Sequence, residues 1–191
     1  MAGNRRNIDG DEKQRGKSKN KEGAMSAEES AVEAIRNLKA RYFRIIDTKC
    51  FDELNSILTE DAYFDLDGIV NRGSDGSILA PVQLAALFQG HQAAVVRGRA
   101  AMVAFITQAL SPVISIHHGF TPEIEVDGDS AKAIWPMEDI FFGLTPPHGL
   151  IRQEYGHYAD ICRKEGGMWR IASQSLSFLH QRWFEKEGQA S

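Results

Sequence analysis

The sequence predicts an α+β protein in which three helices pack on one face of a curved antiparallel sheet. Three observations lead there. Segments with apolar residues at helical spacing come first, and a run of β-rich segments follows. Asp127-Gly128-Asp129 then falls between two of those segments, where a hairpin turn is needed. With 191 residues and 42% hydrophobic content, the chain has apolar material for one core, so one domain is expected.

The first 26 residues carry seven basic and four acidic side chains with almost nothing to bury, and read as a disordered tail. Met25 is a possible alternative start. The first helix is expected from about Glu28 to Thr48. Val32, Ile35, Leu38, Tyr42, Ile45 and Ile46 form its apolar stripe, while Glu33, Arg36, Lys39 and Arg44 are read as polar surface. A short second helix covers Phe51, Leu54, Ile57 and Leu58. Thr59-Glu60-Asp61 should end it, and Ala62 to Leu66 begins a strand.

Residues 67–97 read as an irregular insertion, long enough to suggest a lid, a binding loop or a surface excursion. Within it, Pro81 to Phe88 reads as a short helix with proline in the first turn. A third helix runs from Gly98 to about Leu110 and is stopped by Pro112. The hairpin Ser115 to Phe142 comes next, and Pro146-Pro147 with Gly149 breaks the chain after it. Ile151 to Arg163 and Met168 to about Arg182 are the last strands, joined by Glu165-Gly166-Gly167. The domain itself is expected over residues 27–185.

A net charge of −4 and a pI near 5.9 argue against nucleic acid as the main partner. Cys50 and Cys162 have no metal or redox spacing and read as reduced thiols of a cytoplasmic protein. No apolar run reaches the length of a membrane span, and Met1 to Gly23 lacks a signal peptide's apolar centre. No membrane partner is expected.

Four polar residues could carry chemistry. Tyr42 lies in the first helix's apolar stripe, where a buried tyrosine needs a partner for its hydroxyl. Asp47 stands at the helix C-terminus, against the macrodipole, so either a plain surface carboxylate or one held by an imidazole fits. Of the adjacent histidines, His118 shares a strand face with Ile114, Ile116 and Phe120, whereas His117 shares one with Ser115 and Gly119. Alternation alone leans toward His118 as the interior one. Asp139 falls on an apolar face with Trp135, Met137 and Phe141, where a carboxylate needs a partner. Residues adjacent on a strand point to opposite faces, so His117 and His118 make a poor metal pair and no metal is expected.

Three segments carry a resemblance. AIRNLKARYFRIIDTKCFDEL from Ala34, HHGFTPEIEVDGDSAKAIWPMED from His117 and the closing GGMWRIASQSLSFL together resemble the SnoaL-like branch of the NTF2-like superfamily. Within it the chain looks most like the bile-acid 7α-dehydratase type, with scytalone dehydratase and hexachlorocyclohexane dehydrochlorinase as more distant relatives. The resemblance covers about Ser30 to Arg182, apart from most of the insertion. It implies a cone-shaped α+β barrel with an apolar ligand in its open end. The family's Tyr-x4-Asp falls on Tyr42 and Asp47, its strand histidine on His117 rather than His118, and its second-strand aspartate on Asp139. Phe178 stands where the bile-acid type has an arginine, which argues against a substrate with a coenzyme A or carboxylate handle.

The activity implied is a cofactor-independent, dehydratase-type lyase acting on a hydrophobic cyclic or aromatic small molecule. Asp47 would orient His117 as the base, and Tyr42 with a protonated Asp139 would hydrogen-bond the oxygen where charge develops. Phe105, His118, Trp135, Met137, Phe141, Tyr155 and Phe178, with Leu84 and Phe88 from the insertion, are the expected substrate contacts. Isomerisation, retro-aldol-type cleavage and non-catalytic binding are the other activities such a scaffold carries. The resemblance also favours a homodimer or homotrimer.

Overall fold

A computed structural model describes residues 9–65 and 95–184, with side chains from residue 27 onward. The element order is α1 (Asp9–Asp47), a 3-10 turn (Phe51–Ser56), β1 (Leu58–Asp65), β2 (Val95–Arg97), α2 (Arg99–Leu110), β3 (Val113–Gly119), β4 (Glu123–Asp127), β5 (Ser130–Gly143), β6 (Leu150–Glu165) and β7 (Met168–Trp183).

The sheet has seven strands in the order β2-β1-β7-β6-β5-β3, with β4 also pairing β5. All pairings are antiparallel except β1 with β7. The expected α+β class, with helices on a curved sheet, holds; the sheet is unclosed, with β2 at one edge and β3 and β4 at the other among the described residues.

α1 buries the expected stripe, with Ile35, Leu38, Tyr42, Ile45 and Ile46 in the core. Each fully buried aliphatic side chain contributes about 1.5–3 kcal/mol. Two features of this helix differ from expectation. It continues back to Asp9, through a segment rich in helix-forming Glu, Lys, Gln and Arg, rather than starting near Glu28. Lys39 is buried rather than exposed, because Asp160 on β6 neutralises it at 2.8 Å.

Thr59-Glu60-Asp61 does not end a helix. These residues lie inside β1, and the preceding turn is 3-10. Val95–Arg97, expected as irregular, pairs with Tyr63–Asp65. Pro81 to Phe88, like residues 66–94 as a whole, lies outside the described residues. α2 follows Gly98, whose φ of +91° suits glycine, and buries Met102, Phe105, Ile106 and Leu110.

The central hairpin turns at Gly128 as expected, φ +58°. Its first arm, however, is broken into β3 and β4, both bonded to β5. Pro136 explains the break. It has no N–H, and its carbonyl accepts from Phe120 N–H at 2.8 Å in the gap between the two short strands.

On β5, Ala131, Ala133, Trp135, Met137, Asp139 and Phe141 are all buried, and on β6 Glu154, Gly156, Tyr158, Asp160 and Cys162 are. This inner face packs against α1 and α2. Among the described residues no helix is long and apolar enough to cross a membrane.

Candidate active site

A cavity opens between α1, α2 and the inner face of the sheet. Its apolar wall includes Ile46, Phe64, Phe105, Ile106, Phe141, Leu176 and Phe178. Its polar groups are Tyr42, His117, Asp139, Arg152, Glu154, Tyr158 and Gln174.

Asp47 is the last residue of α1, and β3 meets it there. Its Oδ2 accepts the backbone N–H of His117 at 2.9 Å, and its Oδ1 faces His117 Nδ1 at 2.5 Å. Ser115 donates to Oδ1 at 2.9 Å, and Lys49 donates to Ser115 at 2.7 Å. These donors offset the unfavourable end of the helix dipole. A carboxylate opposite Nδ1 fixes the proton there and leaves Nε2, which no described residue hydrogen-bonds, for the cavity.

Alternation places Ser115 and His117 inside, with Ile116 and His118 exposed. The lean toward His118 therefore fails, because this face of β3 turns its small and polar residues to the interior and its larger apolar ones outward.

Asp139 is the cross-strand partner of His117. Tyr158 donates to its Oδ2 at 2.5 Å, while Oδ1 has no partner among the described residues. Burial pushes this carboxyl up, and the Asp47 charge adds to that; His117, the Tyr158 hydroxyl and Lys39 oppose it. Tyr42 donates to Gln174 Oε1 at 2.8 Å, and Gln174 donates to Asp160 at 3.1 Å. The Tyr42 proton is thus engaged by Gln174, the kind of partner a buried tyrosine needs.

Arg152 and Glu154 pair at 2.9 Å, and Gln181 also donates to Glu154 Oε1 at 2.9 Å. Burial, reinforced by Asp139, pushes the Glu154 carboxyl up to about 7 against the opposing Arg152.

The structure thus brings Tyr42, His117, Asp139, Phe105, Phe141 and Phe178 to one cavity, with Asp47 behind His117. Trp135 and Met137 are buried but do not line it. His118 and Tyr155 lie on the outer face, where Tyr155 stacks on His180. Their strands' alternation turns them away from the cavity. Leu84 and Phe88 lie outside the described residues.

Arg152, Glu154, Tyr158 and Gln174 were not anticipated. The signal for three of them was a period-two polar row on β6, Arg152-x-Glu154-x-Gly156-x-Tyr158-x-Asp160, which a mixed strand composition obscured.

A sequence profile of the SnoaL-like domain matches residues 27–174. Among solved structures, the chain is similar to an aspartate-to-asparagine variant of Rv3472 from Mycobacterium tuberculosis, a protein of unknown function. The two share 24% identity over 81% of this chain and 75% of that one, with a TM-score of 0.58. A Novosphingobium aromaticivorans protein whose name proposes a scytalone dehydratase is 16% identical over 87% of this chain and 99% of its own, TM-score 0.62. A type 2 hexachlorocyclohexane dehydrochlorinase, LinA, is 14% identical over 85% and 94%, TM-score 0.60. At these identities the solved structures speak for the fold alone. The profile covers most of the chain, and on that ground the chain belongs to the SnoaL-like family.

Proposed function

We propose that this protein is a cofactor-independent lyase of the dehydratase type, acting on a hydrophobic cyclic or aromatic small molecule with His117 as the base. The observation that carries this reading is the Asp47–His117 pair at the cavity wall, with Nδ1 committed to a carboxylate and Nε2 left over.

Nε2 takes a proton from a carbon beside a carbonyl, and the Asp47 carboxylate stabilises the imidazolium that forms. Charge then develops on the carbonyl oxygen. Asp139, which burial favours in its protonated form, offers Oδ1–H to that oxygen, with Tyr158 holding Oδ2 in place. Tyr42, its proton committed to Gln174, accepts the substrate's hydroxyl with its remaining lone pairs. As the electron pair returns, the carbon–oxygen bond breaks. The imidazolium gives its proton to the departing hydroxide, so water leaves and His117 is regenerated.

The test is a panel of cyclic β-hydroxyketones in D₂O, following enone absorbance and deuterium incorporation together. Elimination by the wild type, lowered about 10²-fold or more in His117→Gln, is the expected result. Deuterium exchange without loss of water would turn the reading to an isomerase. Neither event across the panel would leave a binding module, and an unchanged rate in the variant would put the base elsewhere; either outcome overturns acid–base catalysis at His117.

A further inference from the structure

We propose that Arg152 anchors a carboxylate carried on the ligand's ring, a subsite built on β6 beside His117 that supplies the cation missing at Phe178 and so reverses the expectation against a carboxylate-bearing ligand. This rests on the reading that the cavity is the substrate site. The Arg152 side chain is only 14% exposed, yet just its Nε meets a described residue, Glu154 Oε1 at 2.9 Å. Nε is buried with no well-aligned hydrogen bond among the described residues, and the rest of the fork makes no ion pair with a described residue.

A buried donor left without a well-aligned acceptor costs free energy, and a planar fork of N–H groups matches a carboxylate at two points. The guanidinium is held in place rather than free to swing out. Its Cζ lies 3.8 Å over the Phe141 ring and 5.4 Å from the Trp183 ring centre. Phe141 in turn meets the His117 imidazole edge-on, centroids 5.5 Å apart. One aromatic ring thus separates the anchor from the base, so a ligand held by its carboxylate at Arg152 presents ring carbons toward His117.

The surrounding groups favour an anion. Glu154 is the competing carboxylate. The groups that face it are Arg152 and Tyr158 on its own strand, Asp139 on β5, His117 on β3 and Gln181 on β7. Protonation of Glu154 leaves the Arg152 charge uncompensated, while a ligand carboxylate with an ordinary pKa near ~4 stays ionised. Carboxylate binding therefore tightens as pH falls from 8 to 6, and Glu154→Gln removes that dependence while keeping the tight binding.

The experiment is an NMR titration of the full chain with benzoate and cyclohexanecarboxylate, each against its neutral carboxamide. The acids should bind about 10-fold or more tighter than the amides, and Arg152→Gln should erase the preference. Arg152→Lys, which keeps the charge and loses the fork, guards against a variant that fails to fold and should retain part of it. Equal binding of acid and amide, no binding of either, or a preference that survives Arg152→Gln would overturn the anchor.

His117→Gln separates the two readings, since it should keep the acid preference and lose turnover. An acid preference without elimination by the wild type defeats only the lyase; turnover of neutral ketones without that preference defeats only the anchor.

Discussion

Asp47 holds His117 at two points, accepting its backbone N–H at 2.9 Å on one oxygen and facing its Nδ1 at 2.5 Å with the other. The first contact fixes β3 against the end of α1, and the second fixes the tautomer. Asp47→Asn disturbs both. An amide cannot accept at both atoms, so either the backbone N–H loses its acceptor or the ring turns its proton to Nε2. The expected outcome is a fall in kcat of about 10²-fold or more with a smaller change in KM. A ¹⁵N spectrum of His117 showing the Nε2–H tautomer would identify the cause.

Lys39 and Asp160 are both almost wholly buried and 2.8 Å apart, and the Lys39 amine also lies 3.9 Å from the centre of the Tyr158 ring. Burial lowers the lysine's pKa, and Asp160 opposes that shift. Lys39→Met leaves a buried carboxylate without its cation, at an expected cost of about 3–5 kcal/mol in urea unfolding. Lys39→Met with Asp160→Asn should recover a large part of the loss. Equal destabilisation in the single and double variants would show that the charge pair is not the cause.

Gly156 sits where β6 and β7 slip register, opposite Phe178, with Leu179 bulged outward. A Cβ at Gly156 would stand 1.9 Å from the Ser177 carbonyl oxygen, a backbone atom that cannot swing aside. Gly156→Ala should therefore destabilise by about 1–3 kcal/mol or more and disturb the cavity at Phe178. Gly149→Ala, which meets nothing within 4 Å, should stay within about 0.5 kcal/mol of the wild type.

Glu154 should make stability fall with rising pH. Its folded carboxyl is pushed up to about 7, above an unfolded value near 4.5, so the folded state binds more protons between them. Its contribution is fully present below the unfolded value and lost as pH rises through about 7, an effect of up to about 3 kcal/mol. Urea midpoints at pH 5 and pH 8 should differ less in Glu154→Gln than in the wild type. A slope unchanged by the substitution would place the titration elsewhere.

By itself the sequence determined the fold class, the apolar stripe of α1, the hairpin turn at Gly128 and the pairing of β6 with β7. These follow from local periodicity and turn chemistry, which need no knowledge of what packs where. Its motif resemblance also chose Tyr42, Asp47, His117 and Asp139, and three of these line the cavity with the fourth behind His117. Only the tertiary structure decided which of two adjacent histidines faces inward, because the face of β3 is set by what packs against it. The same holds for Lys39, a surface residue by composition that is buried by one aspartate from β6. Arg152 and Glu154 are the clearest case. A two-residue spacing on a strand puts them on one face, but nothing local says that this face is the cavity's. That depends on the curvature of the sheet and the helices laid across it, which are properties of the whole fold.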